Sequence, residues 1–210
     1  MLNVMESRKN LYRFLSQMLV MEVDEQMLLQ LKKMEFPETV SNEHLAEGYE
    51  LLKNSLNVLS TDDLDDLAAD YAKTFLAAGD AQGNAAFPYE SVYTSKRRLV
   101  GQESRIGAEK FYADHGLEMG KTIYKIPEDH ISVEMEFMAR LCEKWAEVDT
   151  QDSKEQNIKV QKAFFKEHII NWVLMFCADA ERYAESGFYK GIAKVTRGFV
   201  QEEKALFSRL

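Results

Sequence analysis

Asp129-His130-Ile131-Ser132-Val133-Glu134-Met135-Glu136-Phe137-Met138-Ala139-Arg140-Leu141-Cys142-Glu143-Lys144-Trp145 is the stretch whose reading decides the fold. His130, Glu134, Phe137, Leu141 and Trp145 fall on one face of a 3.6-residue period, so the segment predicts an amphipathic helix beginning at Asp129. The face is apolar except at its N-terminal end, where a histidine and a carboxylate stand in positions that should look inward. There the macrodipole favours the carboxylates of Asp129 and Glu134 and opposes a charge on His130.

The same period continues in both directions. Ser153 and Gln156 form a capping box for a helix expected to reach about Glu185, with Gly187 ending it. Its middle, Ala163–Cys177, is apolar nearly all round and is expected to be the central buried helix, with Phe165, His168, Trp172 and Phe176 sharing a face. A last helix is expected from Phe188 to about Leu206. Upstream, Leu11, Phe14, Leu15, Met18 and Leu19 mark a first helix, Asp24–Met34 a second, and Asn42 caps a third carrying Leu45, Tyr49, Leu52 and Leu56. Ser60 and Thr61 cap a fourth with Leu64, Leu67, Ala68, Tyr71 and Phe75. A helical pattern also runs from about Ser95 to His115, interrupted at Gly101 and Gly107. Loops are expected at Ala78–Pro88 and Gly116–Pro127, and no segment alternates as a strand does.

The expectation is an all-α bundle of about eight to ten helices in one domain, residues 1–210. Within it, residues 1–77 form an N-terminal portion, residues 78–94 a glycine-bearing hinge or loop, and residues 95–210 a C-terminal portion; such a hinge permits domain swapping between protomers.

Composition narrows the function. The chain has 210 residues, 46 % of them apolar, with 26 basic and 35 acidic side chains for a formal charge of −9, which argues against a general grip on nucleic acid or an anionic membrane. Cys142 and Cys177 stand apart in apolar runs and read as buried free thiols of a reducing compartment. The N-terminus lacks an apolar signal-peptide core and no 18 apolar residues run unbroken, so a cytoplasmic protein is expected. The acidic run Asp62, Asp63, Asp65, Asp66 and Asp70 reads as a solvated helix face, as do Lys96-Arg97-Arg98 and Lys190, Lys194 and Arg197.

No Walker A run, GxGxxG, HExxH or GxSxG occurs, and no histidine follows a glutamate by three. No cofactor or metal is expected; a guanine nucleotide would have no phosphate cradle in the sequence. Asp129, His130, Glu134 and His168 are adequate ligand types for a mononuclear site, which keeps a metal-dependent helical hydrolase as a rival reading. A non-catalytic helical scaffold, with these histidines fixing packing, is a second rival. Phe87-Pro88-Tyr89-Glu90-Ser91-Val92-Tyr93 adds three aromatics and a carboxylate directly after a flexible segment.

Three motifs together resemble the TorD/DmsD family of cytoplasmic molybdoenzyme chaperones, also called redox enzyme maturation proteins. Tyr71 to Phe75, Gly79 and Pro88-Tyr89-Glu90-Ser91-Val92-Tyr93 are similar to the family's Y-x-x-x-F, glycine and P-[YW]-x-S-V-Y segment. Pro127-Glu128-Asp129-His130-Ile131, Glu134-Met135 and Phe137-Met138 resemble its P-x-D-H-I-x-x-E-[LM]-x-F-M signature, and Phe165, His168, Trp172 and Phe176 its C-terminal F-x-x-H-x-x-x-W-x-x-x-F. Asp80 and Phe87 depart from prolines frequent in relatives. The resemblance implies a non-enzymatic helical protein that binds the twin-arginine signal peptide and apo form of a molybdoenzyme catalytic subunit, assisting cofactor insertion and delaying export. It implies a monomer or a domain-swapped homodimer. Carried over by motif, Tyr89, Ser91, Pro127, Asp129 and His130 are expected peptide contacts, with Phe75, Glu134, Phe137, His168 and Trp172 supporting. Two guanidiniums followed by an apolar stretch require carboxylates at the mouth of an apolar groove, the place expected for Asp129 and Glu134.

Overall fold

A computed structural model describes residues 2–79, 81, 83–116 and 126–210, and it is helical throughout. The expected loop residues 117–125 and the departure at Asp80 lie outside the described residues. The chain forms two compact units, one from Met1–Val20 with Pro88–Trp172, the other from Met21–Phe87 with Val173–Leu210. The units therefore do not follow the chain halves 1–77 and 95–210: the first helix belongs with the middle of the chain, and the C-terminal segment with residues 21–87. No helix among the described residues is long and apolar enough to cross a membrane.

The first unit contains α1 (Leu2–Val20), α5 (Glu90–Thr94), α6 (Glu103–Asp114), α7 (Ile131–Glu147) and α8 (Gln151–Phe164). Helix α1 packs along α7, burying Met5, Tyr12, Leu15, Met18 and Leu19, while Leu11 and Phe14 of the expected stripe are only half-buried. Ser16 donates to the Ser132 carbonyl at 2.7 Å, and Arg13 pairs with Glu143 at 2.8 Å. The stripe of α7 is buried as its spacing requires: Glu134, Phe137, Leu141 and Trp145 all face inward. The helix starts at Ile131, however, and His130 is its N-cap rather than a member of its first turn.

Other boundaries differ for identifiable reasons. Helix α8 is capped by Thr150, whose hydroxyl accepts from the Ser153 amide at 3.2 Å; the expected Ser153 cap lies within the helix. The long helix expected to reach Glu185 is broken by a π-helical turn at Phe165–Ile169, where the Ile170 amide bonds the Phe165 carbonyl five residues back. It is not buried all round, since Lys166, Glu167, Asn171 and Met175 are exposed. Gly107 does not interrupt α6; it makes room for the His168 ring, which a Cβ would meet at 3.2 Å. Residues 90–94, expected in the hinge, form α5.

The second unit contains α2 (Glu25–Leu31), α3 (Glu43–Val58), a 3-10 turn at Thr61–Asp63, α4 (Leu64–Leu76), α9 (Val173–Tyr183) and α10 (Gly187–Arg209). Asp24 and Asn42 cap α2 and α3 with their side chains, and Ser60 forms a capping box with Asp63. Gly187 does not end a helix; it opens α10 behind the Ser186 cap. Asp70 leaves the solvated acidic face: it is buried and accepts the Glu185 and Ser186 amides at 2.9 and 2.8 Å, tying α4 to the turn before α10. Cys142 and Cys177 are buried free thiols, as the sequence predicts.

Helices α3 and α10 pack so closely that their glycines are obligatory. A Cβ on Gly198 would lie 2.6 Å from the Leu45 amide nitrogen, and one on Gly48 would lie 2.7 Å from that of Val195. Backbone cannot yield as a side-chain tip can, so Gly198→Ala is expected to cost about 2 kcal/mol and lower the melting temperature by about 5 °C in a circular-dichroism melt. Gly107→Ala, which meets only an imidazole edge, is expected to cost less in the same melt.

Candidate functional site

Two segments of the first unit meet as a short antiparallel pair. The Glu90 amide donates to the Asp129 carbonyl and the Ile131 amide to the Pro88 carbonyl, both at 2.9 Å, with Tyr89 and His130 opposite each other. Their rings meet edge to face with centroids 4.9 Å apart. This pairing unites the two motifs that sequence separates, and it places Tyr89, Ser91, Pro127, Asp129 and His130 in one neighbourhood.

Their exposure differs from expectation. Asp129 and Ser91 are fully buried and His130 nearly so, while Tyr89, Pro127 and Glu128 are half-buried. Asp129 Oδ2 accepts the Ser91 amide at 3.1 Å, satisfying a free N–H at the start of α5; its Oδ1 has no hydrogen-bond partner among the described residues. His130 Nδ1 accepts from the Ser132 amide at 3.1 Å and lies 2.7 Å from its hydroxyl. Nδ1 therefore carries no proton and the ring is neutral, in keeping with burial that pushes its pKa down to about 4. Beside this strip, Arg105 of α6 pairs with Glu128, which lies below its usual carboxylate range on that account.

Beneath the strip lies a second polar layer. Glu90 Oε2 is 2.9 Å from His168 Nδ1, and its Oε1 accepts from Asn171 at 3.1 Å. Glu134 Oε2 accepts from the Trp172 indole at 3.1 Å, and its Oε1 has no partner among the described residues. Burial first, then the nearby Glu90, raises the Glu134 carboxyl well above its usual range. The Tyr112 hydroxyl, bonded to the Glu128 carbonyl at 2.9 Å, is likewise raised well above the ordinary phenol by burial and by these carboxyl groups.

The supporting residues divide between the units. Phe137 stacks among Phe164, Tyr112 and Phe111, and Trp172 lies against Tyr93 with centroids 5.6 Å apart. Phe75 is not among them. It belongs to the aromatic core of the second unit, against Tyr71, Phe176 and Tyr189. Asp129 and Glu134 do not stand at the mouth of a groove; both are sealed, because inward-facing helix positions and the segment pairing place them under the surface.

The hydrolase ligand set does not assemble as the spacing suggests. Asp129 and His130 are committed to Ser91 and to Ser132, and Glu134 and His168 are joined instead by Glu90. Sequence reading does not single out Glu90 as a site residue. Its place beside Ser91 in the P-Y-E-S-V-Y run is the available signal, but nothing local points to a partner 78 residues away.

Comparison with known proteins agrees with these features. The family model described as nitrate reductase delta subunit matches residues 42–178. The TorD chaperone of Vibrio cholerae serotype O1 (strain El Tor Inaba N16961) is 26 % identical, with 98 % of this chain and 94 % of that protein covered. The TorD chaperone of Vibrio parahaemolyticus is 27 % identical over 95 % of this chain and 94 % of its own length. A crystal structure described as a redox enzyme maturation protein from Archaeoglobus fulgidus superposes with a TM-score of 0.55 at 22 % identity, covering 92 % of this chain and 93 % of the other, and so shares the all-helical fold. Matched by that family model over most of its length, and similar from end to end to TorD chaperones, the chain belongs to the TorD-like nitrate reductase delta subunit family.

Proposed function

We propose that this chain is a cytoplasmic, non-catalytic chaperone that binds the twin-arginine signal peptide of a molybdopterin-containing oxidoreductase, aids cofactor insertion into the apo catalytic subunit and delays its export. The observation that carries this reading is the unpartnered Oδ1 of Asp129 behind the half-buried Tyr89, Pro127 and Glu128. A buried carboxylate oxygen without a donor is costly, and a guanidinium is the group best shaped to relieve it. Arg105 already holds a guanidinium against Glu128 at the edge of the same strip, which supports the strip as arginine-accepting surface. Peptide entry displaces Tyr89 and the exposed ion pair, a modest cost because surface pairs contribute little. The names of the TorD relatives support the chaperone reading.

A chaperone that must release its client is expected to bind at about micromolar affinity, near −8 kcal/mol, after the disordered peptide is ordered. Asp129→Asn keeps an acceptor for the Ser91 amide and removes the charge. By calorimetric titration it is expected to weaken a twin-arginine peptide about tenfold or more, and to change a twin-glutamine peptide little. Undiminished affinity of a folded Asp129→Asn protein overturns the reading.

The chain passes between its units at three places, one of them within the expected hinge 78–94. We propose that protomers exchange the chain segments on either side of that hinge to give a minor homodimer beside the monomer. Size-exclusion chromatography over a concentration series is expected to resolve both species; a monomer at every concentration rejects the exchange.

A further inference from the structure

The polar layer under the strip is short of positive charge. Glu90, Glu134 and His168 each present a ligand atom, and these atoms lie within 4.8 Å of one another with all three residues buried. The charges that act most on Glu134 come from Glu90 and Asp129, both acidic. Glu134 also holds an oxygen, Oε1, that accepts no hydrogen bond from the described residues although its residue is fully buried. Around them the Trp172 indole donates to Glu134 and to the His168 carbonyl, Asn171 donates to Glu90, His168 Nδ1 lies against Glu90, and the Glu90 and Glu134 carboxyl groups are within hydrogen-bonding reach of each other.

From this geometry we propose that Glu90, Glu134 and His168 form a binding site for one divalent first-row cation, with Zn²⁺ as the ion that fits. Two carboxylate oxygens and one imidazole nitrogen are a borderline donor set that suits zinc and leaves a fourth position for water. Two carboxylates and a neutral imidazole also balance a charge of two. Zinc bonds of about 2.0–2.1 Å hold tetrahedral ligand atoms about 3.4 Å apart, so closing onto an ion takes side-chain shifts on the order of an ångström. Gly107 lets the imidazole sit close against α6, where a Cβ would lie 3.2 Å from His168 Cε1. Asn171 provides the way in: it is exposed, yet donates to Glu90, so the site lies one side chain below solvent. The Trp172 indole fixes the Glu134 carboxyl group through Oε2, as outer hydrogen bonds orient metal ligands. Metal ligands bind without their protons, so the ion and a proton compete for Glu134, and no bond in any substrate is made or broken.

The site joins residues 90, 134 and 168, so an ion there ties α5, α7 and the π-helical turn together directly beneath the paired motifs. The test uses the full chain, stripped with a chelator, dialysed and titrated calorimetrically with ZnCl₂. One equivalent is expected, with a rise in melting temperature on loading. Glu134→Gln keeps the Trp172 bond and Glu90→Gln keeps the Asn171 contact through its carbonyl; each is expected to weaken zinc at least about 100-fold. His44→Asn, in the second unit, is expected to leave binding unchanged. Cobalt absorption on the unaltered chain gives a readout that needs no variant, with bands of a four- or five-coordinate nitrogen and oxygen site expected. Absence of stoichiometric zinc on the unaltered chain, or equal affinity in a folded Glu134→Gln protein, overturns the proposal and assigns the cluster to a proton held between the two glutamates.

Discussion

The pairing of residues 88–91 with 127–131 governs the rest of the first unit. Pro88 cannot donate, but its carbonyl accepts from Ile131, and Glu90 returns the bond to Asp129. Extended pairing turns successive side chains to opposite sides. Tyr89 thus meets His130 near the surface, and Glu90 points down toward His168. Helix α5 has only five residues, far below the length at which a helix holds itself in water, so it persists through this pairing. Asp129 supplies what the short helix lacks, an acceptor for a first-turn amide.

The features of this architecture that depend on short-range rules are legible in the sequence. The α7 stripe, the Asn42 cap and the inward placement of Phe165, His168, Trp172 and Phe176 all follow from spacing and side-chain type. The departures share a cause, which is that tertiary partners outrank local signals. Thr150 stands three residues before Ser153 and captures the cap. Asp70 looks like one acid in a solvated run, yet two amides from residues 185 and 186 pull it inside. The π-helical turn has no marker in the sequence, since it holds neither glycine nor proline; with it, both His168 and Trp172 are buried.

The grouping of α1 with residues 88–172 is illegible for the same reason. The stripe on α1 says that one face is buried, but a stripe does not say against what. Its partner is α7, more than 100 residues on, and the polar edge of that contact is the Ser16 bond to the Ser132 carbonyl, 116 residues away. Ser132 is the residue whose amide and hydroxyl also hold His130. The N-cap of α7, one polar bond of the α1 contact and the hydrogen bonds to His130 Nδ1 therefore meet at this one residue.

Under the proposed function, burial of Asp129 changes how a cationic peptide would be recognised. A carboxylate at an open groove mouth attracts a guanidinium through water and is screened by salt. One lying under a tyrosine and an ion pair acts at lower effective dielectric, where charge and geometry count for more and a wrong partner leaves a desolvated acid behind. Lysine, a compact and strongly hydrated charge, is poorly suited to enter such a place; arginine is more weakly hydrated and presents a planar fork. In the proposed complex the sealed position would therefore favour discrimination between arginine and lysine over raw affinity, because the difference between the two rests on desolvation that an exposed carboxylate never undergoes.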